Sequence, residues 1–72
     1  MILKLILAKP GLYTIKTIDP WSIRLQEIGF ITNRTIYVFA NNTLGIQVRI
    51  NNAVYLLNEV IASTIYVESI EE

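Results

Sequence analysis

A third of this chain is β-branched, with 13 Ile, 5 Val and 6 Thr among 72 residues. Such side chains suit the pleated, half-buried surface of a strand. Turn formers interrupt them at short intervals: Pro10-Gly11, Asp19-Pro20, Gly29, Asn33-Arg34, Asn41-Asn42, Gly45 and Asn51-Asn52. Short strands between closely spaced turns predict a small all-β barrel or sandwich. A chain of this length makes one domain, residues 1–72, with no room for a second core. With 53% apolar residues and a mean hydropathy of +0.46, disorder is excluded.

Residues 46–50 give the clearest strand. Ile46, Val48 and Ile50 alternate with Gln47 and Arg49, one buried face against one wet face. Asn51-Asn52 follows, and asparagine tolerates the positive φ that a two-residue hairpin turn demands. Residues 53–57 then run back. Residues 35–40 also alternate, with Ile36, Val38 and Ala40 on one face and Thr35, Tyr37 and Phe39 on the other. The two aromatics suggest that this second face is covered as well. Residues 12–18 and 65–68 are further strands. Residues 1–7 form another, or pack irregularly against the barrel end.

One segment departs from the β pattern. Asp19-Pro20 offers an N-cap followed by proline at the first helical position. Trp21, Leu25 and Ile28 then share one stripe of a short amphipathic helix at about residues 20–28. Gly29 stands where a left-handed residue ends a helix, and Phe30 where an apolar side chain folds back on it. Asn58 caps a helical turn at residues 59–62.

Catalytic chemistry finds little to work with. The chain has no Cys and no His, which removes disulfides, thiol chemistry and imidazole acid–base or metal-binding roles. Ser22, Ser63 and Ser69 have no lysine at the Ser-x-x-Lys spacing, and the three glycines are isolated, so no phosphate-cradling loop forms. The six carboxylates are scattered; Glu68, Glu71 and Glu72 make a solubilising acidic tail. The chain therefore reads as a non-enzyme with no cofactor and no metal-ligating residues. Six basic residues balance six acidic ones, and nucleic-acid binders carry a basic excess. A nucleic-acid-binding barrel would have to stack bases on Tyr37, Phe39 and Tyr55. The apolar run at residues 1–8, interrupted by Lys4, is too short to span a membrane or serve as a signal peptide, which points to the cytoplasm. The apolar surplus and zero net charge also fit self-association.

The order of these pieces resembles the FeoA family, small SH3-like β-barrels associated with ferrous iron uptake. Pro10-Gly11 looks like the opening turn, and Arg24-Leu25-Gln26-Glu27-Ile28-Gly29 like the family's Arg-x-x-x-Leu-Gly helix. Residues 35–39 resemble the next strand and Leu44-Gly45 the loop. Ile46-Gln47-Val48-Arg49 with Tyr55-Leu56-Leu57 looks like the hairpin, and Ile65-Tyr66-Val67-Glu68 like the closing strand. The likeness covers about residues 9–68. Thr32-Asn33 replaces the usual Pro-Gly, Asn52 the frequent hairpin glycine, and the Asp-Pro after Leu-Gly is missing. Asn58 and Glu59 stand where the family carries basic residues. The resemblance implies a mainly β, SH3-like barrel with one short helix. It also implies a cytoplasmic accessory protein of ferrous iron transport, acting by contact with FeoB, a membrane transporter with a GTP-binding domain. Similar domains end iron- and manganese-dependent repressors; a stand-alone chain without a helix-turn-helix favours the transporter. The family's label of transition-metal binding finds no ligands of the usual kind here. On this reading the partner-binding residues are Trp21, Arg24, Glu27, Leu44 and Gly45, in the helix and the loop beside it. The partner is protein, with no membrane insertion, and a homo-oligomer is a further option.

Overall fold

A computed structural model describes residues 1–19 and 22–70. In chain order it contains β1 (Ile2–Lys4), a 3-10 turn (Leu5–Leu7), β2 (Gly11–Ile18), α1 (Ile23–Glu27), β3 (Thr35–Asn42), β4 (Gly45–Ile50), β5 (Ala53–Leu57), α2 (Glu59–Ala62) and β6 (Ile65–Ser69). The strands form one antiparallel sheet in the order β1-β6-β2-β3-β4-β5. The sheet curls into the expected SH3-like barrel, although its edge strands β1 and β5 are not paired with each other.

Two bulges produce the curl. The register slips between Ile15 and Thr17 on β2 and between Val38 and Ala40 on β3. Lys16 and Phe39 are thus extra residues, and each sharpens the local bend and twist of its strand. The concave face gathers Tyr13, Ile15, Ile36, Val38, Ile46, Val48, Ile50, Leu57, Ile65 and Val67 around Phe30. Alternation in the sequence is therefore alternation in burial: Ile46, Val48 and Ile50 are buried while Gln47 and Arg49 are exposed.

The hairpin forms as its sequence demands, with Asn51 and Asn52 at φ 52° and 65°. Ile50 pairs with Ala53 on either side of this turn. Asn33 takes φ 71°, as asparagine can, and donates its N–H to the Ile15 carbonyl at 2.7 Å. Asn58 caps α2 by accepting from the Ile61 N–H at 2.9 Å.

Two local expectations need correction, and a third, for residues 1–7, is completed. The helix starts at Ile23, later than Asp19-Pro20 suggested. The Ser22 N–H bonds back to the Asp19 carbonyl at 2.9 Å, and the helical ladder begins with Gln26 to Ser22; Pro20 lies outside the described residues. Residues 1–7 are a strand and an irregular piece together: β1 pairs with β6, then the 3-10 turn buries Leu5. The outer face of β3 is less covered than its aromatics implied. Phe39 is exposed, and Tyr37 meets it edge-on at 4.8 Å.

At the β1–β6–β2 side, Glu68 sits between Lys16 Nζ at 3.3 Å and the N-terminal ammonium at 3.6 Å. The Lys16 hydrogen bond and charge hold its carboxyl below the usual carboxylate range. A depressed native pKa means that the unfolded chain takes up the proton first. This stability is present at neutral pH and is lost as pH falls through the carboxylate range and past the native pKa. Thermal midpoints of the wild type and Glu68→Gln, followed on acidification, should converge at low pH. Added salt should shrink the gap at neutral pH. A gap independent of pH would assign Glu68 no electrostatic role.

Candidate contact surface

The two halves of the sequence-read surface form separately. α1 is short, and its C-terminal end is fixed best. Gly29 takes φ 111° and donates to the Gln26 carbonyl at 3.2 Å, while the Phe30 N–H reaches the Leu25 carbonyl at 2.9 Å. These two bonds are the Schellman arrangement, and the buried Phe30 ring supplies its apolar contact. Leu25 turns inward and packs on the core. Arg24 and Glu27, three residues apart, are both exposed. Trp21 lies outside the described residues.

Leu44 sits on the turn between β3 and β4, and Gly45 opens β4. The Leu44 N–H donates to Asn42 Oδ1 at 2.9 Å, which folds the turn and leaves the Leu44 side chain 82% exposed. Gly45 is buried beneath it at φ 136°. An added Cβ there would stand 2.6 Å from the Leu57 carbonyl oxygen, so only glycine lets β5 approach. Leu44 and Gly45 border a groove of about 550 Å³, also lined by Ile6, Asn42, Thr43, Asn58 and Glu59. Asn41 ties its walls together, donating Nδ2 to the carbonyls of Ile6 at 2.7 Å and Ala8 at 2.9 Å. Leu7 and Val60, next in sequence to two lining residues, are strongly exposed.

Leu44-Gly45 is not beside the helix. The Gly29 that ends α1 lies against Asn51, just beyond the far end of β4 from Gly45. Five strand steps separate Gly45 from Ile50, about 17 Å at strand rise. Arg24 and Glu27 belong to one end of the barrel, with Asn51 and Arg34, whose guanidinium donates to Asn51 Oδ1. Leu44 and Gly45 belong to the other, with the 3-10 turn and α2. The sequence reading passed over Ile6 and Glu59 as lining residues. Its available signal was the non-periodic apolar run at residues 1–8, which has more apolar side chains than a short strand can bury.

The outer sheet face is a second surface. Cross-strand partners run Leu12–Tyr37–Arg49–Val54 across four strands. The Arg49 guanidinium carbon lies 5.6 Å from the Phe39 ring centre, within cation–π reach. Tyr55 does not join this face. It shares the inner side of the sheet with Val48 and meets Phe30 edge-on at 5.7 Å. Tyr37, Phe39 and Tyr55 thus form no common stacking platform. Among the described residues no group of three or more Asp, Glu, His or Cys could hold a metal ion. Among them, too, no helix is long and apolar enough to cross a membrane.

These elements define a small SH3-like barrel with its two short helices at opposite ends of β4. Solved structures share that fold. The iron uptake regulatory protein FeoA matches 97% of this chain and 99% of its own, at 19% identity and a TM-score of 0.86. Iron(II) transport protein A from Clostridium thermocellum matches at 23% identity and a TM-score of 0.77. A manganese-dependent transcriptional repressor matches at 26% identity and a TM-score of 0.82 over 96% of this chain. The chain spans 42% of that repressor and 43% of the Clostridium protein. No protein-family model and no curated protein matches the sequence. The resemblance read from the sequence therefore holds in three dimensions: the chain has the FeoA fold.

Proposed function

We propose that this chain is an FeoA-type accessory protein of ferrous iron transport, a non-enzymatic module that acts by protein contact with an FeoB-type GTPase transporter at the cytoplasmic side of the membrane. The observation that carries the reading is the match to FeoA along nearly the whole of both chains. The surface supports it. A groove rimmed by an exposed leucine, between fixed asparagine-capped turns, suits an apolar anchor from a partner. Contact that is tighter with one state of the transporter shifts its population toward that state. Iron is then the cargo of the partner, and this chain needs no metal of its own. The likeness to a manganese-dependent repressor favours a second reading, a regulatory contact module of the kind such repressors carry.

Co-purification of the tagged chain with the FeoB-type transporter, in detergent and in bilayers, with and without guanine nucleotides, tests the proposal. Binding is expected to depend on nucleotide state. Leu44→Glu should weaken it at least ~10-fold, because a charge replaces the apolar rim of the groove. Arg24→Ala, at the other end of the barrel, should cost no more than a few-fold. No binding under any of these conditions sinks the transporter reading. Binding lost in Arg24→Ala but kept in Leu44→Glu moves the contact to α1.

A further inference from the structure

The two edges of the sheet are managed differently. β1 is three residues long, carries Lys4 and begins beside the N-terminal ammonium. Short length and charge are how natural sheets blunt an edge. β5 has five residues, Ala-Val-Tyr-Leu-Leu, with no charge and no proline. Its backbone direction follows from the hairpin. Ile50 and Ala53 flank a two-residue turn and so form a hydrogen-bonded pair. By alternation Tyr55 and Leu57 turn their N–H and C=O groups to β4, while Val54 and Leu56 turn theirs to the open edge. Among the described residues no turn or loop hydrogen bond reaches Val54 or Leu56. Their side chains, 58% exposed each, stand on the outer face.

We infer that β5 is a self-pairing edge whose occupant is the β5 of a second copy of this chain. The strand supplies its own complement. In an antiparallel two-fold pair, Val54 of one protomer lies opposite Leu56 of its partner, and Tyr55 lies opposite its own copy. This register uses every outward N–H and C=O of Val54 and Leu56, giving four new backbone hydrogen bonds. Slipping it by two residues in either direction, the smallest shift that keeps outward groups facing each other, aligns Val54 or Leu56 with itself and leaves fewer bonds. The paired strands make one continuous sheet across both protomers, and the two exposed apolar side chains cover each other. Neither strand brings a charge, so no like-charge repulsion opposes the contact. The inference is independent of the transporter reading, which uses the groove at Leu44.

Sedimentation equilibrium on the full chain over a concentration series tests it. The wild type should associate to a dimer. Leu56→Pro deletes an outward N–H that β4 does not use, and proline is tolerated on an edge. It should weaken dimerisation at least ~10-fold. Val54→Lys, at an exposed position, should do the same and guards against misfolding of the proline variant. Ile2→Lys, on the other edge, should leave the dimer intact. A wild type that stays monomeric up to ~1 mM overturns the proposal. So does a dimer that persists in folded Leu56→Pro and Val54→Lys, or one that dissociates in Ile2→Lys.

Discussion

Phe30→Ala is expected to remove most of the stability of this protein. Phe30 is fully buried and heads the largest side chains of the core. Truncating a buried phenylalanine costs about 3–5 kcal/mol, the lost transfer energy plus the cavity left behind. A domain of this length holds roughly 4–11 kcal/mol in all. Two further contributions are specific to this site. The edge-on contact with Tyr55 at 5.7 Å goes, a contact worth about 0.5–1.5 kcal/mol beyond buried area. The apolar closure of the Schellman end also goes, so α1 loses the residue that ties its last turn to the core. Phe30→Leu keeps apolar volume and should cost only about 1–1.5 kcal/mol. Urea unfolding should show a large fall in midpoint for alanine and a small one for leucine, with unchanged slope wherever two-state behaviour holds. A loss below about 1 kcal/mol for Phe30→Ala would mean that the ring does not fill the barrel.

Residue chemistry that acts locally was legible before any coordinates. The β4–β5 hairpin could be read because Ile46, Val48 and Ile50 alternate and because two asparagines accept positive φ. Gly29 followed by Phe30 marked the helix end, and Asn58 marked the start of α2, since caps and left-handed residues are local requirements. What stayed hidden depends on distant partners. The bulge that makes Phe39 an extra residue is a mismatch between β3 and β4, and neither strand shows it alone. Residues 1–7 have no single period because a strand paired with β6 at Ile2–Lys4 gives way to a 3-10 turn at Leu5–Leu7. The groove draws on residues near 6, 42–45 and 58–59, which only strand order brings together. Strand order also separates Leu44-Gly45 from α1. Sequence proximity to a motif was no guide there, because the length of β4 lies between them.

Gly45→Ala tests the close approach beneath that groove, and glycine's two advantages act together at this position. An alanine Cβ would lie 2.6 Å from the Leu57 carbonyl oxygen and 3.1 Å from Leu56 Cδ1. The first contact is with backbone, so it is relieved only by splaying β4 from β5 at the Ile46–Leu57 pair. The residue must also hold φ 136°, a conformation that costs an L-amino acid about 1–3 kcal/mol. Strain and overpacking together should remove about 3–5 kcal/mol. At 4–8 °C per kcal/mol for a domain this small, the thermal midpoint should drop by at least ~12 °C. Gly29→Ala provides the comparison. Its Cβ would meet the Asn51 side-chain amide, which can swing away by giving up its exposed hydrogen bond with Arg34, so the cost is mainly that of the left-handed backbone, about 1–2 kcal/mol. Gly45→Ala should therefore be clearly the worse of the two in a thermal melt. Equal losses would mean that backbone conformation alone governs both sites and that β5 does not need glycine's missing Cβ. Because the clash displaces the turn that carries Leu44, Gly45→Ala should also weaken any partner bound in the groove. Leu44→Glu separates the two effects, since it should reduce binding while leaving the melting temperature nearly unchanged.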